Sequence, residues 1–154
     1  MKEKILKYIY LCISQKMSEN RHVAANTFLQ RYIGIFNNGL TYIAELYRNN
    51  SKCQLMYGDG NFRDVPVGSD PWSVYGTYDI IKLKCLGRDM KMTAEEAYDV
   101  RTSHYPKAIA FNFKGSMIID NEEKYIEQHL HIAMDDCDER IYIIDEKLMI
   151  MEKK

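Results

Sequence analysis

Long apolar runs, paired cysteines and loop-forming residues are all scarce in this sequence. No uninterrupted apolar stretch approaches the roughly 20 residues of a membrane span, so the chain is expected to be soluble and cytoplasmic, with no membrane partner. Its four cysteines, Cys12, Cys53, Cys85 and Cys137, lie 41, 32 and 52 positions apart, which leaves no C-x-x-C pair and no zinc or disulfide framework. They are expected to be reduced and mostly buried. Three prolines and eight glycines in 154 residues leave no linker, repeat or low-complexity tract. One domain, 1–154, follows as the expectation, with a helical layer over 1–50 and a sheet-rich part over 51–154. The start, MKEKILKYIYLCISQK, has a lysine-rich front, but Lys7 interrupts the apolar stretch and no small-residue cleavage site follows, so it reads as a packed helix.

Charge of one sign is missing as well: the formal net charge is −1, with +4 over the first fifty residues and −6 over the last thirty-five. Duplex nucleic-acid binding normally uses a basic stripe stronger than this. The asymmetry would steer a charged partner, or simply solvate the faces of an ordinary domain. What is abundant is hydrophobic residues, at 46%, enough for a substantial core without staples or metal.

Ile5, Ile9 and Ile13 recur at helical spacing from about Lys2 to Lys16. Ser18 is placed to cap a second helix whose apolar stripe is Val23, Phe28, Tyr32, Ile35 and Phe36, ending at Asn37-Asn38-Gly39. A third helix is predicted over Leu40 to Arg48. Beyond Asn50 the pattern becomes that of strands. CQLMYGDGNFRDVPV predicts a hairpin around Gly58-Asp59-Gly60-Asn61, and Ile81, Leu83 and Cys85 alternate with lysines as in a strand with one wet face. TAEE, Thr93 to Glu96, has the form of a capping box and predicts a short helix over 94–101. Ile109, Phe111 and Phe113 mark one face of a strand, MIID is placed to pair back with it after Gly115-Ser116, and Asp120 is placed to start a helix over 121–134. RIYIID and KLMIME then predict a final hairpin turning at Asp145-Glu146. The expected fold is α+β, a mainly antiparallel sheet with an N-terminal layer of two or three helices against one face.

No catalytic or cofactor motif stands out, and no cofactor is expected. GDGN lacks the lysine and spacing of a phosphate loop, and DDCDE lacks the order and glycine of a calcium loop. Three stretches remain. EQHLHIAMDDCDE places His129 and His131 two apart. On a helix they point about 200° away from each other, whereas on a strand they share a face. Ile126, Leu130 and Met134 fit the helix, which the Asp120 start and the segment length favour. Leu130, Ile132 and Met134 fit the strand, and His129, His131 and Asp135 would then be candidate metal ligands of a metal-dependent hydrolase or nuclease. Acids around Cys137 disfavour a reactive thiolate. The second stretch, Tyr57 to Gly76, holds four of the eight glycines and the only tryptophan, and nominates Tyr57, Arg63, Trp72 and Tyr75 as ligand- or partner-binding residues. Two ordinary turns with Trp72 as a core plug is the structural alternative. In RTSHYPK, His104 is placed to meet an anion or to act as a base, or merely occupies a turn ended by Pro106.

The reading that results is a small binding protein acting through a protein partner or a small-molecule ligand, with self-association through the final hairpin as a further expectation. The size and the Lys-, Asn-, Ile- and Tyr-rich composition are shared with accessory proteins of phages and mobile elements, including inhibitors of host defence. That is an association of composition.

Overall fold

Two antiparallel-packed helices lie across one face of a long, mixed sheet in the computed structural model, which describes residues 2–38, 45–57, 72–76, 90–119 and 121–152. Side chains are described from Tyr8 onward, except for those of 56–57, 72–75, 90, 119 and 152. Helix α1 spans Lys2–Glu19 and α2 spans Arg21–Asn38. The cap of α2 is Asn20, not Ser18: its Oδ1 accepts the Val23 N–H at 3.3 Å, while the Ser18 hydroxyl donates back to Gln15 inside α1. Ile13 of α1 and Ala24, Ala25, Phe28, Leu29, Tyr32, Ile35 and Phe36 of α2 enter the core, whereas Val23 is exposed. Asn37 ends α2 by bonding both the N–H and the carbonyl of Met92, which ties the helix to the sheet. Of the predicted third helix, only Glu45 and Leu46 are described as a short 3₁₀ turn, and 39–44 lie outside the described residues.

Seven strands are described: β1 (Lys52–Tyr57), β2 (Trp72–Tyr75), β3 (Met90–Ala94), β4 (Tyr98–Thr102), β5 (Ala108–Ile119), β6 (Glu122–Met134) and β7 (Ile141–Glu152). Six follow the order β2-β1-β7-β6-β5-β3, and β4 pairs with the other half of the β5 edge that carries β3. Only β1 and β7 run parallel, so the expected α+β architecture with a mainly antiparallel sheet is what the chain adopts.

Several elements differ from the sequence reading. The TAEE stretch is no helix: Thr93 and Ala94 are the last two residues of β3, and the Thr93 hydroxyl bonds Ser116 Oγ across to β5 at 2.7 Å rather than capping a turn. Residues 122–134 form a strand, not a helix. β5 runs straight through Gly115-Ser116, and the reversal comes at Asn121, whose φ of 69° is left-handed, a conformation asparagine tolerates. Gly115 matters for a different reason: a Cβ there would stand 2.8 Å from the Thr93 carbonyl carbon and 3.0 Å from the Ala94 Cα. The last two apolar runs form one continuous strand, because Asp145 and Glu146 project to opposite faces instead of turning. β7 is therefore interior, bonded to β6 on one side and β1 on the other, and offers no free edge for self-association. The predicted hairpin partner of β1 around 58–61, and the strand at 81–85, lie outside the described residues. β1 does pair antiparallel, with β2, through Lys52↔Tyr75 and Leu55↔Trp72.

The core lies between the helices and the inner face of the sheet, where Phe111, Phe113, Leu130, Ile132, Ile143 and Leu148 meet Phe28 and Tyr32. In its middle is a polar knot. Glu146, fully buried, accepts hydrogen bonds from Tyr47 at 2.8 Å, from Tyr32 at 3.2 Å and from Gln128, also fully buried. Burial, with Glu146 next in importance, pushes the Tyr47 hydroxyl well above the usual phenol range, so it stays a donor. Cys53 is buried, Cys12 is half-buried and Cys137, set among acids, is exposed, while Cys85 lies outside the described residues. No described helix is long and apolar enough to cross a membrane.

Candidate functional site

The outer face of the sheet, away from the helices, is where polar side chains gather. Alternation along β6 sends Ile126, Gln128, Leu130 and Ile132 inward, so Glu127, His129 and His131 share the outer face. The register builds their surroundings. Asn112 of β5 and Lys147 of β7 flank His129, and Ala110 and Asp145 flank His131. β4 adds Tyr98 opposite Asn112 and Arg101 opposite Ala110, with a bulge between them where Asp99 takes a φ of 53°.

Two linked groups result. In the first, the Tyr98 hydroxyl donates to Glu127 Oε1 at 2.6 Å, the same oxygen that lies 3.7 Å from His129 Nε2, and Lys114 Nζ stands 5.6 Å from the centre of the Tyr98 ring. Desolvation, and then Glu127 as acceptor, push the Tyr98 hydroxyl up to about 12. Burial holds the His129 imidazole below its ordinary value, against the opposing pull of Glu127. In the second, Ser103 Oγ lies 2.7 Å from His131 Nδ1 and accepts the Tyr105 N–H at 3.1 Å. The Tyr105 hydroxyl donates to Asp145 Oδ2 at 2.8 Å. The rings of His104, Tyr105 and His131 pack together, with centroids 4.2 Å apart for His104–Tyr105 and 5.4 Å for His104–His131. Burial also lowers the His131 pKa, opposed by Asp145 and reinforced by His104. Both imidazoles are thus biased toward the neutral form.

A nucleophile–base pair is not what this arrangement builds. The Asp145 carboxyl bonds Tyr105, not His131, and Ser103 is nearly buried and occupied by the Tyr105 N–H. It is a turn anchor that orients an imidazole.

Of the sequence candidates, His104, His129 and His131 come onto one face, and His104 touches His131. The expectation that His129 and His131 part is overturned, because a strand of period two replaces the helix. Asp135 does not join them: it accepts from Arg48 Nε at 3.0 Å and from the Cys137 N–H at 2.8 Å, contacts that hold its carboxyl below the usual range. Among the described residues no group of three His, Cys, Asp or Glu side chains is arranged to hold a metal ion. Tyr57, Trp72 and Tyr75 lie on β1 and β2, at the opposite end of the strand order from β4 and β5. Their side chains, and all of Arg63, fall outside the described residues. Tyr98, Ser103, Tyr105, Glu127 and Asp145 were missed. For Tyr98, Glu127 and Asp145 the signal was the polar half of each strand's alternation, visible only once the strands are assigned, whereas Ser103 and Tyr105 lie in the β4–β5 turn and flank His104 in RTSHYPK.

Neither protein-family models nor curated protein sequences match this chain. Solved structures do. Nuclear transport factor 2 from Cryptosporidium parvum aligns at a TM-score of 0.63 and 13% identity, covering 85% of this chain and 95% of that one. A chain of the C. albicans Mtr2-Mex67 M domain complex aligns at 0.62 and 11%, covering 84% and 94%. The yeast UBP3-associated protein BRE5 aligns at 0.61 and 15%, covering 82% and 92%. The two helices and the long mixed sheet are those of the NTF2-like fold, and at these identities the likeness is one of fold.

Proposed function

We propose that this is a small binding protein whose outer sheet face, from Tyr98 across to Lys147, docks a protein partner. The observation that carries the reading is the outward row Tyr98, Glu127, His129, His131, Tyr105 and Asp145, in which hydrogen bonds fix Tyr98 to Glu127, Tyr105 to Asp145 and His131 to Ser103. Side chains fixed before binding lose little rotamer entropy in the complex, and tyrosines and stacked rings are the groups that most often anchor interfaces. The fold-level relatives support the same reading, since they include a member of the Mtr2-Mex67 complex and a UBP3-associated protein. An accessory protein or inhibitor of a phage or mobile element would act in this way, by covering a surface on a host protein.

The test is capture of native proteins by the intact chain and by its Tyr98→Ala and His131→Ala variants, read by mass spectrometry. A partner held by the parent and lost by both folded variants supports the proposal. A partner held equally by all three removes the sheet face from it. A hydrolase reading would need His129, His131 and an acid on one ion, and metal analysis of the parent beside the His129→Ala, His131→Ala double variant separates it from binding. Co-purifying small molecules in native mass spectra would favour a ligand in place of a protein.

A further inference from the structure

A second surface lies along α1, where the helix packs beside the sheet. Two grooves run beneath its length, one of about 540 Å³ against the 136–140 turn and one of about 310 Å³ against the β4–β5 turn. They share Ser14 and Met134, whose hydroxyl and sulfur touch at 3.3 Å across the boundary between them, so a segment lying along α1 would pass over that contact from one groove to the other. Tyr10, Leu11 and Met134 supply the apolar part of the larger groove, and Met17, Ala108, Ile109 and Met134 that of the smaller. On the helical rim, Tyr8 and Leu11 are 68% and 49% exposed, the two most exposed large hydrophobic side chains among the described residues. Large apolar side chains left facing solvent beside a groove, rimmed by polar groups, mark interaction sites.

The two ends carry opposite charge. The larger groove is lined by Asp136, Asp138 and Glu139 against the single cation Arg140, and the smaller by Arg21 and Lys107 with no acid. Asp136 and Lys107 neutralise each other, and Asp138 is held by Arg48 and Arg140. Glu139 at one end and Arg21 at the other make no ion pair among the described residues; Arg21 bonds only the Thr102 hydroxyl, at 3.2 Å. From Tyr8 to Ser18 the trench follows α1 for about 15 Å at the ~1.5 Å rise per helical residue, a length that about four or five extended residues fill.

We infer that this trench takes an extended segment of a protein partner, with apolar side chains over Met134, a basic side chain beside Glu139 and an acidic one beside Arg21. The inference rests on α1 and on the charges at the two ends, and the trench borders the sheet face only at Tyr105, which lines the smaller groove. Its test starts from a displayed library of random heptapeptides selected on the full chain, followed by anisotropy titrations of the enriched sequences as labelled synthetic peptides. The expected sequences carry a cation and an acid separated by a few residues that include an apolar one. Leu11→Asp and Arg21→Glu, both at exposed positions, should each weaken binding by about tenfold. A peptide with its acid changed to lysine should recover affinity for Arg21→Glu alone. No enrichment, or enriched peptides indifferent to both variants, overturns the trench. So do peptides lost on Tyr98→Ala instead, and that outcome leaves the sheet face standing.

Discussion

Replacing Tyr47 by phenylalanine removes one oxygen from the core and asks whether the knot around Glu146 is scaffold or chemistry. The Tyr47 side chain is 1% exposed, and its hydroxyl lies 2.8 Å from Glu146 Oε1. The ring stays, so packing is kept and the loss is that of one buried donor to a carboxyl group, about 1–3 kcal/mol. At about 2–4 °C per kcal/mol for a domain of this size, the thermal midpoint should fall by roughly 2–12 °C. Urea unfolding followed by circular dichroism measures the change directly, with an unaltered slope if only stability has moved. Because the knot is closed to solvent, partner capture well below the midpoint should be unchanged. An unshifted midpoint, or a folded variant that no longer binds, would refute the assignment of the knot to the scaffold.

Other consequences follow from the same geometry. Gly115→Ala sets a Cβ against backbone atoms of β3, which no rotamer change relieves, so the β3–β5 pairing must open at a cost of about 1–3 kcal/mol, readable as a lower urea midpoint. Ile132→Ala should cost about 2–5 kcal/mol, as much as Leu130→Ala, because both point into the core; a helix would bury Leu130 without Ile132, so a mild Ile132→Ala would contradict the strand. His129 and His131 have folded pKa values below the ordinary 6.5, so the unfolded chain takes up their protons first on acidification. Stability is then full above about pH 6.5 and declines as pH falls from there toward the lowered folded values. Urea midpoints taken on either side of that window should differ, and the His129→Gln, His131→Gln double variant should narrow the difference; an unchanged difference would place the imidazoles in water.

The helical half of the fold was legible because its main signal, the apolar spacing in α1 and α2, is local, although the cap was read two residues early, at Ser18 in place of Asn20. The sheet was harder to read, and the polar knot explains why. Gln128 and Glu146 face inward but are polar, so the alternation of β6 looks broken at one and that of β7 looks like a turn at the other. With Gln128 counted as core, Ile126, Gln128, Leu130 and Ile132 give an unbroken period of two. Without it, Ile126, Leu130 and Met134 imitate a helix. TAEE misled for a related reason, since its threonine found a partner 23 residues away in place of its own backbone. The outer-face site depended on those assignments. His129 and His131 were visible as a pair, but Ser103, Tyr105 and Asp145 reach His131's neighbourhood only through contacts that span up to 40 residues, and no local pattern announces them.

Hydrogen–deuterium exchange on the intact chain, with and without a captured partner protein, tests the outer face most directly. Protection should concentrate in 98–105, 125–131 and 145–149, the segments that build the face. Protection elsewhere, with these three unchanged, would contradict the proposal that this face meets the partner.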